Sequence, residues 1–209
     1  MIFSHFIWDF DGTLFNSYPL MAEDFAMALK SLLLPVPSEK AILEKLKATL
    51  REAAHDFSNG DDSLTEEILL KYAFYAGKRN AKNIPLYPGA EDCLMKIVSQ
   101  GGSNYIFTHR DKSAIKALES KNLSPLFAHC ITKEHAFPRK PSPDALNHII
   151  DKYNIDKKRC CMIGDRPLDM ECAKNADIAA IMFDPENFYP SYRADFRFGD
   201  FTTLTEYLV

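Results

Sequence analysis

No stretch of this 209-residue chain is dense in lysine and arginine, and the net charge is −4. A basic stripe is the electrostatic footprint of a nucleic-acid binder, so nucleic acid is not an expected partner. No apolar run approaches the ~18 residues that a membrane span needs, so no membrane partner is expected either. The apolar N-terminus is short and is interrupted by His5 and Asp9. It reads as a first strand, not as a secretion signal. None of the five cysteines (Cys93, Cys130, Cys160, Cys161 and Cys172) forms a C-x-x-C pair. They read as reduced core thiols, with the cytoplasm as the expected location. Internal repeats and low-complexity segments are absent. What is present is the composition of a globular protein, 46% hydrophobic and 12% aromatic, with room for one large domain or a core and a smaller partner.

The pattern along the chain changes twice. An apolar strand runs to about Asp9. Helical spacing then dominates: Leu20, Met21, Phe25, Leu29 and Leu32 mark one helix, which Pro35 and Pro37 end. Ser38 opens a second helix, continuous through Ile42, Leu46, Leu50, Ala53 and Phe57. A third begins at the capping box of Ser63 and Glu66. After Pro88-Gly89 helices and strands alternate. Strands are expected around Tyr105–Thr108, His129–Thr132, Cys160–Gly164 and Ile178–Phe183, and a last one in the aromatic tail. Ser142 is the expected N-cap of a helix beginning at Pro143. Alternation of this kind implies an α/β fold with a doubly wound parallel sheet, whose ligands bind beyond the carboxyl ends of the strands. Residues 1–15 and 86–209 are read as that core. Residues 16–85 are read as an all-helical cap inserted after the first strand and placed over the same sheet edge.

The residues at those strand ends are chemically uneven. Asp9 and Asp11 close the first strand, Thr108 the second, and Asp165 a later one. Asp169 lies in the first turn of the helix that Pro167 starts, and Lys140 sits in the loop Pro138-Arg-Lys-Pro141. Four carboxylates against one lysine would repel a phosphate dianion unless a divalent cation joins them, and an oxygen-only ligand set suits Mg²⁺. Phosphoryl transfer fits this inventory, because its catalysis is mostly positioning and electrostatics. Asp9 would attack phosphorus to give an aspartyl-phosphate. Asp11 would protonate the leaving oxygen and then take a proton from water, which requires its pKa to rise from the ordinary ~3.9. Gly12 would let the backbone turn closely around the phosphate, Thr108 would hydrogen-bond a phosphoryl oxygen, and Lys140 would neutralise developing charge.

Four short motifs, D-x-D-G-T at Asp9 to Thr13, the hydroxyl at Thr108, Lys140-Pro141 and G-D-x-x-x-D at Gly164 to Asp169, occur in one order across the chain. In this the sequence resembles the haloacid dehalogenase superfamily, and the helical insert resembles the cap of the phosphoglycolate phosphatase and β-phosphoglucomutase group. The resemblance implies Asp9 as nucleophile and Mg²⁺ ligand, and Asp11 as acid/base whose main-chain carbonyl is a ligand. It implies Asp165 as a further ligand and Asp169 as a ligand, direct or through water, or as a residue that stands behind the ligands. True haloacid dehalogenases lack the second aspartate of the first motif, so Asp11 implies a phosphate ester. His109 and Arg110 stand where Thr108 is often followed by Asn-Lys in phosphoglycolate phosphatases, so the resemblance implies the reaction type and leaves the substrate open.

The expected activity is therefore a Mg²⁺-dependent phosphatase acting on a small phosphorylated metabolite, as monomer or homodimer. A phosphomutase of the β-phosphoglucomutase kind and a catalytically silent regulatory binder are the alternatives. Gly12, Thr13, His109 and Arg110 are the expected substrate-binding residues of the core. In the second helix Lys47, Thr49, Arg51 and His55 suit a polar leaving group, with Arg51 the first choice. Arg166 is expected at the surface.

Overall fold

The computed structural model describes residues 1–209, which divide into two compact units, Met1–Asn16 with Pro85–Val209 and Ser17–Ile84. The second unit holds α1 (Tyr18–Ser31), α2 (Glu39–Leu46), α3 (Leu50–Phe57) and α4 (Asp62–Lys78). Tyr18, Phe25, Leu29, Ile42, Leu46, Ala53 and Ile68 form its core. Burying each large apolar side chain contributes roughly 1.5–3 kcal/mol. At the end of this unit Arg79 Nε holds both oxygens of Asp24 at 2.8 and 2.7 Å, and its Nη2 reaches Glu23 at 2.7 Å.

Two sequence expectations fail here. The second helix is not continuous: it stops at Leu46 and restarts at Leu50. Thr49 accepts the Glu52 N–H at 3.0 Å and so caps a new helix in the middle of an unbroken apolar pattern. The third helix is not capped by Ser63. Asp61 takes that role, accepting the Leu64 N–H at 2.9 Å.

The first unit is built on six parallel strands, β1 (His5–Trp8), β2 (Ser103–Phe107), β3 (Phe127–Ile131), β4 (Cys160–Gly164), β5 (Ala179–Phe183) and β6 (Phe196–Phe198). Their order is β3-β2-β1-β4-β5-β6. The chain builds outward from β1 to one side and then returns to build on the other. The switch point, where ligands bind in such sheets, is thus at the carboxyl end of β1. Register puts Trp8 opposite both Ile106 and Ile163. Asp9, Thr108 and Asp165 therefore leave three neighbouring strands within one or two residues of the same level.

Helices α5 (Ala90–Ser99), α6 (Ser113–Ser120), α7 (Asp144–Tyr153), α8 (Pro167–Asn175) and α9 (Phe201–Leu208) complete this unit. Ile7, Tyr105 and Phe107 pack with Leu146 and Ile149 of α7 and Met170 and Ala173 of α8. Trp8 faces the other way and stacks on Phe201 of α9 at 5.9 Å. A sheet covered on both faces explains why β4 is buried along its whole length and reads as an apolar run. Helix α7 begins one residue later than expected. Pro143 stands at its N-cap position, and Ser142 donates its hydroxyl to Asp144 at 2.6 Å instead of capping.

The five cysteines are free thiols, and burial pushes those of Cys160 and Cys172 up to about 12. No helix is long and apolar enough to cross a membrane.

One buried polar network ties the centre of the sheet to its surroundings. The indole N–H of Trp8 donates to Asn104 Oδ1 at 3.0 Å, and Asn104 Nδ2 donates to the carbonyls of Leu94 and Leu126, each at 3.2 Å. Replacing Asn104 by alanine leaves the indole N–H without its acceptor in an apolar layer and removes the tie to Leu94 and Leu126. The expected loss is about 3 kcal/mol, read as a lower denaturation midpoint with an unchanged slope in urea. A midpoint equal to that of the parent would remove this network from the account of stability.

Candidate active site

At the end of β1 the Asp9 N–H donates to Ile163 O at 2.9 Å, which fixes the residue against β4. Its carboxylate is 2% exposed, and Oδ1 accepts the Phe10 N–H at 2.8 Å. The chain then folds back on itself. The Gly12 N–H donates to Phe15 O at 2.8 Å, and the Phe10 and Phe15 rings stack at 4.1 Å. Gly12 has φ of 75°, a left-handed backbone that glycine adopts without strain. The turn buries Thr13 completely, and its hydroxyl has no hydrogen-bond partner.

At the end of β2 the buried Thr108 hydroxyl accepts the Arg110 N–H at 3.1 Å. Between them His109 turns its Nε2 to accept the main-chain N–H of Lys140 at 2.9 Å, and its ring meets Phe107 edge-on at 5.7 Å. An accepting Nε2 requires neutral imidazole. Burial, helped by the Lys140 and Arg139 charges, pushes the His109 pKa down to about 3. His109 therefore holds the Lys140 loop in place.

Lys140 is buried to the tip. Its Nζ lies 3.0 Å from Asp9 Oδ1, 2.8 Å from Asp169 Oδ1 and 4.9 Å from the centre of the Phe107 ring. Burial pulls its amine down, but Asp169 and Asp9 outweigh it and hold the pKa above the ordinary lysine value. Burial likewise pushes Asp9 up. The Lys140 and Arg166 charges, with the hydrogen bonds from Lys140 and the Phe10 N–H, overcome it and leave Asp9 below the usual carboxylate range. Asp169 is raised, by burial first and by neighbouring Asp9.

The end of β4 supplies the rest. Pro167 begins α8, and Asp169 in its first turn accepts the Arg166 N–H at 3.1 Å. Asp169 packs tightly against the strand: a Cβ added at Gly164 would lie 2.3 Å from Asp169 Cβ. Asp9, Asp165 and Asp169 bring one carboxylate oxygen each to within 4.8 Å of one another. Asp9 Oδ2 is buried and accepts no hydrogen bond. An oxygen-only set with such an oxygen fits a small hard cation.

Two arginines change the charge count made on the sequence. Arg166 is not a surface residue: its side chain is 14% exposed, with Nη2 3.6 Å from Asp9 Oδ2 and Nε 3.9 Å from Asp165 Oδ1. Its place between Asp165 and Asp169 in the chain was the available signal. Arg110 forks onto Asp11, with Nε 3.1 and 3.0 Å from the two oxygens and Nη2 2.6 Å from Oδ1. Four carboxylates thus face three cations, Lys140, Arg110 and Arg166.

Arg51 lies in the other unit, on α3, where it is 65% exposed and ion-paired to Glu66 at 2.7 Å. The buried cation of that unit is Lys47, whose Nζ stands 4.3 Å from the centre of the Tyr18 ring. Thr49 is engaged as the cap of α3.

Two substitutions test this arrangement. Gly164→Ala forces Asp169 off the strand end and should cost about 2 kcal/mol of stability, with most activity lost. A fully active and equally stable variant would show that Asp169 has room to move. His109→Asn addresses pH. In the native protein His109 stays neutral down to about 3, whereas unfolded it takes a proton near 6.5. From 6.5 toward 3 the unfolded state therefore binds the extra proton, and this residue makes stability fall as pH falls. His109→Asn should flatten that part of a stability-against-pH curve, and superimposable curves would contradict the neutral imidazole.

Comparison with known proteins shows the family. The haloacid dehalogenase-like hydrolase family matches residues 6–183. A phosphoglycolate phosphatase of Aliivibrio fischeri is 26% identical over 189 residues, covering 81% of this chain and 78% of that one. One from Rhodospirillum rubrum is 24% identical, covering 97% and 89%. Among solved structures, a haloacid dehalogenase-like hydrolase of Streptococcus pneumoniae superposes with a TM-score of 0.83 at 19% identity, covering 99% of each chain, which speaks to the fold. A matched span that contains Asp9, Thr108, Lys140, Asp165 and Asp169 places this chain in the haloacid dehalogenase-like hydrolases.

Proposed function

We propose that the protein is a Mg²⁺-dependent phosphatase that hydrolyses a small phosphorylated metabolite through an aspartyl-phosphate on Asp9. The observation that carries this reading is the state of Asp9. Its carboxylate is buried, lies below the usual pKa range, and is held by Lys140 through Oδ1 while Oδ2 accepts no hydrogen bond. A carboxylate held in its charged form is what a carboxylate nucleophile requires. The relatives named phosphoglycolate phosphatase support a phosphate monoester as substrate.

In the first step an Asp9 oxygen bonds to phosphorus and the ester P–O bond breaks. The electron pair goes to the leaving oxygen, which takes a proton from Asp11. In the second step water attacks phosphorus, Asp11 takes its proton, and the bond from phosphorus to Asp9 breaks. Inorganic phosphate departs and the Asp9 carboxylate is restored. Thr108 donates its hydroxyl to a phosphoryl oxygen, and Lys140 and Arg166 offset negative charge at the attacking carboxylate. Asp9, Asp165 and Asp169, with the Asp11 carbonyl, would hold the Mg²⁺. When bound it supplies charge neutralisation at the phosphoryl oxygens.

Asp9→Asn should lower phosphate release from p-nitrophenyl phosphate by about 10³-fold or more, with the chain still folded but its thermal transition lowered, because Lys140 loses one of its buried partners. Comparable turnover by that variant would remove the nucleophile assignment. Chelation of divalent ions with EDTA should stop the parent enzyme and Mg²⁺ should restore it. Undiminished activity in chelator would refute the metal requirement.

A further inference from the structure

Arg110 is anchored at its main chain and held by an exchangeable ion pair at its tip. Its N–H donates to Thr108 and its carbonyl accepts the Lys133 N–H at 3.0 Å, so the backbone is fixed beside the phosphate-binding hydroxyl. Its guanidinium carbon lies 5.4 Å from the centre of the Phe10 ring, and Nη1 is 3.5 Å from Ser113 Oγ. The fork itself closes on Asp11, with contacts to both carboxylate oxygens. Unlike the Lys140 cluster, which is fully buried, this pair is reachable: the two side chains are 20% and 18% exposed.

This placement conflicts with the work assigned to Asp11. To exchange a proton with the ester oxygen, Asp11 must turn an oxygen toward it, and Arg110 occupies both. A guanidinium fork recognises carboxylate and phosphate groups by the same two-point geometry. Asp11 therefore stands where an anion of the substrate could stand.

The geometry points to Arg110 as the residue that reads the leaving group, with Asp11 as its partner until substrate arrives. An anionic group close to the ester oxygen takes Arg110 over, and Asp11, relieved of the fork, takes a proton from solvent and turns to the leaving oxygen. A leaving group without an anion has nothing to draw the arginine away, and the fork stays closed. Recognition of the leaving group and availability of the proton donor are then one event, and Arg110 is a specificity-determining residue of this site. The inference rests on the phosphatase reading above and adds the kind of ester selected, one whose leaving group carries a second anion.

The test is phosphate release from two nearly isosteric esters, 2-phosphoglycolate and 2-hydroxyethyl phosphate, which differ by a carboxylate against a hydroxymethyl group. Ethylene glycol bisphosphate serves as a third substrate to separate carboxylate from phosphate as the preferred anion. The parent enzyme should favour an anionic ester over 2-hydroxyethyl phosphate by about 10²-fold in kcat/KM. Arg110→Met should bring that ratio close to one. It should also raise kcat for 2-hydroxyethyl phosphate by roughly threefold or more, because Asp11 is no longer held. A merely structural role for Arg110 would not produce that gain. Arg110→Lys keeps the charge without the fork and should give an intermediate ratio, which serves if the methionine variant does not fold. A parent ratio near one, an Arg110→Lys ratio equal to the parent's, or an Arg110→Met variant that loses activity equally on all substrates would overturn the inference. A parent enzyme that hydrolyses both members of the pair equally overturns this inference alone. One that releases phosphate from none of the esters, nor from p-nitrophenyl phosphate, overturns the phosphatase reading with it.

Discussion

Everything at the carboxyl edge of this sheet depends on one buried ion cluster, Lys140 between Asp9 and Asp169. Taking a single charge out of water costs several kcal/mol even after relaxation, and removing one partner of a buried pair leaves an uncompensated charge. Three charges can stay there only if each is held in place from behind, and each is. Asp9 is fixed by hydrogen bonds from the Phe10 N–H to its carboxylate and from its own N–H to Ile163. Asp169 is held by the first turn of α8, against a strand end that has no Cβ in the way. Lys140 reaches inward from a loop that His109 grips by its main chain. The covered, parallel sheet is what makes such a dry edge available, and the position of β1 at its centre puts Asp9 in it.

The charges around the two aspartates of the first motif are arranged differently, and on the proposed reading the difference suits their different tasks. Asp9 is compensated by groups that are themselves buried or nearly so, Lys140 and Arg166. That compensation is fixed before any ligand arrives, as a preorganised electrostatic site requires. Asp11 is compensated by an arginine on a flexible stem at a partly open position. A nucleophile gains from a constant environment. A group that passes protons to successive partners gains from an environment that can change, and the ion pair with Arg110 is the exchangeable part of the site.

The parts of this fold that were legible in the sequence are those decided locally or by repetition. Cys160–Gly164 reads as a buried strand because a strand covered on both faces needs apolar residues throughout. The acidic strand ends could be read because the parallel topology leaves them only one edge to occupy. What could not be read depends on contacts that no local pattern encodes. The break at Lys47–Thr49 has no glycine or proline to announce it. It exists because Thr49 can cap α3 once Leu46 and Ala53 are buried in the same core. The cap Asp61 lies two residues before Ser63, in a polar run where several side chains could do the same work. The reach of an arginine is longer still. Arg110 and Asp11 are 99 residues apart in the chain, and nothing in either segment alone announces the pair.

The two arginines also alter why a divalent cation belongs here. With only Lys140 opposing four carboxylates, the free site would demand a metal outright. With Arg110 and Arg166 included, the excess is a single negative charge, distributed over a cluster in which Asp169 is itself biased toward the protonated form. A phosphate dianion arriving at such a site makes the excess three. On the proposed reading, the electrostatic need for Mg²⁺ therefore comes largely with the substrate, and each should bind more tightly in the presence of the other. Before substrate arrives, the carboxylates are held by the protein's own cations.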